Sequence, residues 1–273
     1  MIRRAFDRFT STVPRYLWAI AQACAGSRVR VAGALVRVPG PLPIRVSVVA
    51  SNIRMHRLFE RAIRPGTTVV DVGANIGYNT VYLARRVGAG GRVVAIEPAA
   101  DNLRVLRENV ARNALPNVVV QPVAAGSTRE VRDLFLRGET SAVNSLFRES
   151  VYAAVSGVEK VAVVPADEIV EGHADFIKID VEGAELDALE GMTRLLSYPG
   201  VALVVEWHPR LQEAAGHAAD ALPRFFLRHG FMLRAASHTR VTPLDSGGID
   251  AMCVRLRRTG RPVELVASRR SCP

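Results

Sequence analysis

Two groups of residues have the types and spacing to do chemistry. The first is the run Val69-Val70-Asp71-Val72-Gly73-Ala74-Asn75-Ile76-Gly77-Tyr78-Asn79-Thr80, an apolar stretch that delivers the chain into a glycine-spaced loop. Glycine lets a backbone turn tightly and approach a ligand closely. A helix starting after the loop adds free N–H groups and the positive end of its dipole. The spacing Gly73-x-x-x-Gly77 is not the G-x-G-x-x-G of a dinucleotide site, and no phosphate-loop lysine follows it. Asp71, two residues ahead of Gly73, instead suits a cofactor that carries a cationic amine. Glu97 ends the next apolar run, 24 residues after Gly73. An acid at that place can accept hydrogen bonds from both hydroxyls of a ribose.

The second group is acidic. One apolar run leads into Asp180-Val181-Glu182-Gly183-Ala184-Glu185, and another into Glu206-Trp207-His208-Pro209. Buried carboxylates without partners cost several kcal/mol, roughly, so these are not ordinary strand ends. Drawing a proton from a hydroxyl needs a base or a polarising cation. Asp180, Glu182, Glu206 and His208 are the candidates, whereas Glu185 also suits a helix start.

The elements that position these groups alternate regularly. Residues 28–50 read as short β segments, broken at Pro39-Gly40-Pro41, and 51–63 as an amphipathic helix. Strands are expected at 68–72, 92–96, 118–123, 176–179 and 201–205, with helices at 77–87, 100–113, 184–196 and 218–229. Closing strands are expected at 231–235 and 251–256. Apolar runs of about five residues between helices indicate a doubly wound, mostly parallel sheet covered on both faces, seven-stranded here, with an N-terminal β/α extension. The expected division is 1–50 (basic helix and β extension), 51–256 (α/β domain) and 257–273 (basic tail). The connection 124–175 is long and irregular, as functional insertions often are. Ala124 opens this connection, and Asn144 and Ser145 are polar ligand candidates within it. His56 and Arg57 are further substrate candidates on the 51–63 helix.

Composition narrows the class. With 49% hydrophobic and 23% charged residues the chain is too apolar to be disordered. Its +10 charge is uneven: residues 1–64 hold 12 basic and 2 acidic side chains, 65–254 hold 18 and 23, and 255–273 hold 6 and 1. The basic flanks suit docking on acidic lipid or a carrier protein, or simple solubilisation, and the acidic middle argues against a nucleic-acid partner, as do few aromatic residues. Cys24, Cys253 and Cys272 form no metal or redox spacing, which fits a reducing, cytoplasmic setting. Residues 16–25 form a short apolar run after Arg3, Arg4, Arg8 and Arg15, better read as a docking or packing helix than as a signal peptide.

The run VVDVGANIGYNT resembles motif I of class I S-adenosylmethionine-dependent methyltransferases. AIEPAADNLRVLRENVARN, FIKIDVEGAELDALEGM and VVEWHP together resemble the FkbM family within that class, over roughly residues 50–256. The resemblance implies a Rossmann-like class I fold with S-adenosylmethionine as cofactor. Asp71, Gly73, Asn75, Gly77, Glu97 and Ala124 would then form the cofactor site, with Asp71 near the amine and Glu97 at the ribose. It also implies O-methylation of a saccharide, glycolipid or secondary metabolite. The alternatives are a nucleic-acid-modifying methyltransferase and a non-catalytic cofactor-binding subunit. Asp180 and Glu206 occupy places where catechol O-methyltransferase-like enzymes hold magnesium, but Trp207 stands where a further oxygen ligand is expected, so a divalent metal is the secondary expectation.

Overall fold

The computed structural model describes residues 27–137, 143–149, 154–236 and 241–269. The expected N-terminal helix, with Trp18 and Cys24, lies outside these residues, as do Thr140-Ser141-Ala142 and Cys272. No helix among the described residues is long and apolar enough to cross a membrane.

The chain enters through an antiparallel hairpin of β1 (Arg28–Val31) and β2 (Ala34–Arg37) and then forms helix α1 (Leu42–Ala62). The helix starts nine residues earlier than the sequence pattern predicts. Proline in a first turn loses no hydrogen bond, so the stretch after Pro41 opens the helix instead of breaking the chain. The boundary expected at residue 50 therefore falls inside one helix.

The main sheet follows. In chain order the elements are β3 (Thr68–Val72), α2 (Tyr78–Val87), β4 (Arg92–Ile96), α3 (Ala100–Arg112) and β5 (Val118–Gln121). An insertion contributes β6 (Ala124–Ala125), β7 (Glu130–Arg137) and β8 (Val155–Val164), a separate three-stranded sheet, and then the short helix α4 (Ala166–Ile169). The chain returns through β9 (Phe176–Ile179), α5 (Glu185–Glu190), α6 (Thr193–Ser197), β10 (Ala202–Trp207), α7 (Pro209–Ala214) and α8 (Ala221–Arg228). It ends with β11 (Met232–Ala236), β12 (Val241–Pro243), α9 (Ser246–Thr259) and β13 (Val263–Ser268).

Strand order is β12-β11-β13-β10-β9-β3-β4-β5. The five strands from β10 to β5 run parallel, and β13 lies antiparallel between β10 and β11. The α/β, doubly wound, mostly parallel class is thus present, with two corrections. Among the described residues the sheet has eight strands, because the short edge strand β12 joins it. Residues 251–256 are helical: Ile249, Cys253 and Leu256 are buried at helical spacing, and the Asp245 carboxylate accepts from the Gly248 amide to cap α9. The closing strand is instead β13, within the segment expected as a basic tail, so the domain does not end at 256.

Both faces of the sheet are covered, as parallel pairing requires. Val70, Ile177 and Val205 join one core with α5, α8 and α9, while Val69, Phe176 and Val204 join another with the hairpin, α1 and α2. Asn109 of α3 and Asn113 just after it complete the hairpin. Asn113 Oδ1 accepts from Leu35 N at 2.8 Å and Asn109 Oδ1 from Arg37 N at 2.7 Å, and each side-chain amide donates back to a β2 carbonyl. The Asn109 amide also donates to Ile76 O at 2.8 Å, tying hairpin to glycine loop.

On α1, His56 is stacked between helices and not presented to a ligand. Its ring lies 3.7 Å from that of Tyr82 and 5.6 Å from that of Tyr78, centroid to centroid. Arg57 is exposed on the same helix. Burial pushes the His56 pKa from 6.5 to about 3, against a hydrogen bond with Asn79. The neutral ring is favoured in the fold, so this stabilisation is complete above the unfolded value and is lost as pH falls towards the folded one. Chemical denaturation across pH should show wild type losing about 1–2 kcal/mol relative to His56→Phe between pH 7 and pH 5. A parallel dependence in the two proteins would refute the assignment.

Candidate functional site

The glycine loop is pinned from two sides. Ile96 O accepts from both Gly73 N and Ala74 N at 3.0 Å, which ties the loop to the end of β4. Asn75 N donates to Glu97 Oε2 at 2.8 Å. On the other side, Lys178 Nζ donates to Gly73 O at 2.8 Å and to Val72 O at 3.4 Å. Gly73 has φ +73°, and a Cβ there would sit 1.9 Å from the Asp180 carbonyl oxygen. Gly77 has φ +81° and would drive a Cβ into Leu106. Asn75 takes φ +51°, in the region asparagine tolerates best among non-glycine residues.

Glu97 is prepared as an acceptor. Its Oε1 takes bonds from Ala99 N and Asn102 Nδ2, both at 3.0 Å, in addition to the Asn75 bond on Oε2. A carboxylate has about four acceptor positions, so one or more remain for a ligand. Burial raises its pKa, and these bonds together with Lys178 oppose the rise.

A cavity opens at the carboxyl ends of β3, β4 and β9. Gly73, Asn75 and Glu97 line one part of its wall. Asp180, Glu182, Asn144 and Ser145 line another, with Ala124 and Leu134 from the insertion between. The sequence candidates at these positions therefore converge on one space. The insertion is held there by Ser145 Oγ, which donates to Glu182 O at 2.7 Å, while Asn144 Oδ1, accepting from Arg137 N at 3.0 Å, ties the segment to β7 within it.

Other candidates lie elsewhere. Asp71 is fully buried and outside the cavity wall. It accepts from Thr80 Oγ1 at 2.6 Å and stands 3.5 Å from Lys178 Nζ, so it braces the site from beneath. Gly77 shapes the turn and is not in the wall. His208 is buried, outside the wall and bonded to the backbone at Gly260, and burial lowers its pKa. Glu206 also lies outside the wall, but its carboxylate, with those of Asp180 and Glu182, forms a cluster whose oxygens lie within 4.8 Å of one another.

Burial, followed by repulsion from Asp180, pushes both Glu182 and Glu206 well above the ordinary carboxylate range. Such a set can share protons, bind hydroxyls or gather around a divalent cation. Glu185 serves the backbone instead. It accepts from Val181 N, Gly183 N and Gln212 Nε2 and so fixes the turn after β9.

Two contributors carry no role in the sequence reading. Asn102 orients Glu97. Lys178, 2% exposed, lies 3.5 Å from the carboxylates of both Asp71 and Asp180. Burial opposes its charge, yet Asp180 and Asp71 keep its pKa raised. The available signal was a lysine inside an apolar strand, one of two lysines among 36 basic residues.

Comparison with known proteins places these observations. The model of the methyltransferase FkbM domain matches residues 71–233. The AMB antimetabolite synthetase AmbE of Pseudomonas aeruginosa is 30% identical over 237 residues, which cover 71% of this chain and 11% of that protein. The hexuronic acid methyltransferase AglP of Haloferax volcanii is 29% identical over 138 residues, 49% of this chain and 53% of AglP. This chain thus spans about a tenth and about half of these two relatives. The crystal structure of methyltransferase FkbM from Methylobacillus flagellatus KT aligns over 93% of this chain and 59% of that one, at 17% identity and TM-score 0.46.

The glycine at 73 gives a direct test of the loop. Gly73→Ala should weaken S-adenosylmethionine binding about tenfold or more in calorimetry. It should also cost about 2–3 kcal/mol of stability, because backbone stands in the way of the added methyl. Wild-type values for both would show that the loop does not need this approach.

Proposed function

The chain belongs to the FkbM methyltransferase family, and from that premise we propose that it is an S-adenosylmethionine-dependent O-methyltransferase acting on a hydroxyl of a saccharide, glycolipid or secondary metabolite. The observation that carries this reading is that one cavity holds both the glycine loop with Glu97 and the carboxylates Asp180 and Glu182.

The residues fit the cofactor. Glu97 offers oriented oxygens to a ribose diol. Pro98, Ala124 and Leu134 give apolar wall for a purine. Gly73 and Asn75 present backbone to the amino-acid end. When bound, the cofactor supplies a methyl group on a positively charged sulfur. The chain's own part concerns the acceptor. Asn144 and Ser145 border the space beside Asp180 and orient the hydroxyl. Asp180, with its side chain 32% exposed, would take the proton that this hydroxyl loses on transfer, while the sulfur would keep the electron pair of the bond to the departing methyl. Glu182, in the cavity wall and raised towards its neutral form, donates a hydrogen bond to a further hydroxyl of the acceptor.

This acidic lining supports a polyhydroxylated acceptor and disfavours a phosphate-rich one such as nucleic acid, which binds through cationic side chains. The hexuronic acid named for AglP supports a saccharide acceptor. The closeness of the three carboxylates favours a second reading, in which a divalent cation polarises the hydroxyl.

Labelled S-adenosylmethionine with a glycan and small-molecule extract tests the reading. Asp180→Asn should keep cofactor affinity within about threefold while transfer falls about 100-fold or more. Wild-type transfer by this variant would remove Asp180 as the base. Transfer that persists after dialysis against EDTA supports the metal-free reading, and its loss, restored by magnesium, the second.

A further inference from the structure

Lys178 belongs to neither half of the cavity wall, yet it touches what holds both. Its ammonium donates to Gly73 O at 2.8 Å and to Val72 O at 3.4 Å on the loop side. It lies 3.5 Å from Asp180 Oδ2 on the acceptor side and 3.5 Å from Asp71 Oδ1 beneath. An ammonium has three donors and no acceptor. Four oxygens from two stretches of chain, residues 71–73 and Asp180, therefore converge on one point charge. Burying such a charge is costly unless its partners are in place, so the position of each oxygen is constrained by the others.

We propose that Lys178 is a positioning residue that sets the glycine loop and the Asp180 carboxylate relative to each other. Through it, the cofactor side and the acceptor side of the cavity share one anchor. Gly73 can turn its carbonyl inward only because a donor waits there. Its amide and that of Ala74 are already committed to Ile96 O on the opposite side. Without the ammonium, Gly73 O faces the buried Asp71 carboxylate across a space with no donor, and the loop must shift to reach water. The proposal rests on the loop being the cofactor site.

The test uses the full chain and S-adenosylhomocysteine as probe, with affinity measured by calorimetry. Lys178→Met alone strands Asp71 as a buried charge, so the variant is made with Asp71→Asn, which removes both charges together. The folded double variant should bind the probe about tenfold more weakly or worse, and the Gly73 and Asn75 amide resonances should move in the free protein. Affinity within about twofold of wild type, in a folded double variant, overturns the proposal. Should that variant fail to fold, Lys178→Arg carries the test. Its fork keeps the charge but spreads its donors, so affinity should fall about fivefold or more; wild-type affinity would overturn the assignment. Absence of heat with the wild-type protein would instead sink the cofactor reading itself.

Discussion

The site depends on one close approach of backbone to backbone, where Gly73 passes the carbonyl of Asp180. No side chain fits between them. This contact fixes how far the loop after β3 can rise before it turns, and it brings the ends of two adjacent parallel strands into a single wall. The register beneath agrees with it: Asp71 pairs with Lys178 and Val72 with Ile179. A slip by one residue would put Lys178 on the opposite face and leave Asp71 without its cation. Steric closeness above and charge pairing below therefore specify the same alignment, which is the consistency across levels that makes a fold unique.

The carboxyl ends of the strands then divide the work. β4 contributes Glu97, whose oxygens are held by backbone and by Asn102. β9 and β10 contribute Asp180 and Glu206, which stand next to each other across the pair because Ile179 and Val205 are in register. Cross-strand neighbours of like charge are unfavourable, and Glu264 of β13 adds a third acid beside Glu206. Such a row persists where protons, hydroxyls or a cation can relieve it. The hairpin of the insertion roofs the space and is itself fastened by Arg132 to Asp187 on α5 at 3.1 Å.

Much of this is legible in one sequence, for reasons that differ by element. The parallel strands stand out because each is an unbroken apolar run, and the glycine loop because its spacing is local. Glu97, Asp180 and Glu182 are identifiable as polar residues at the ends of such runs. Strand parity places Asp71 with Val69, on the face that α1 and α2 cover, but its partners are Thr80 and the distant Lys178, which no local pattern reveals. The edge strand β12 is three exposed residues long and has no burial pattern to detect. α9 mimics a strand because Met252 and Val254 flank Cys253 in a short apolar stretch, and the helical spacing emerges only when Ile249 and Leu256 are included. His208 follows a strand end as a catalytic residue would, yet it stands at the start of α7, buried and bonded to the backbone at Gly260.

The place of β13 has a consequence for how the molecule is assembled. This late segment inserts between β10 and β11, pairing with six residues of one and five of the other. During synthesis β10 and β11 are both complete before the strand that joins them exists. The emerging chain must hold two open sheet edges apart while α9 is made, and such edges invite wrong pairing. The glycine loop, Glu97, the insertion and Asp180 all precede that point. The cavity wall is therefore encoded early, and the last strand acts as a keystone that locks a sheet whose binding half is already laid down.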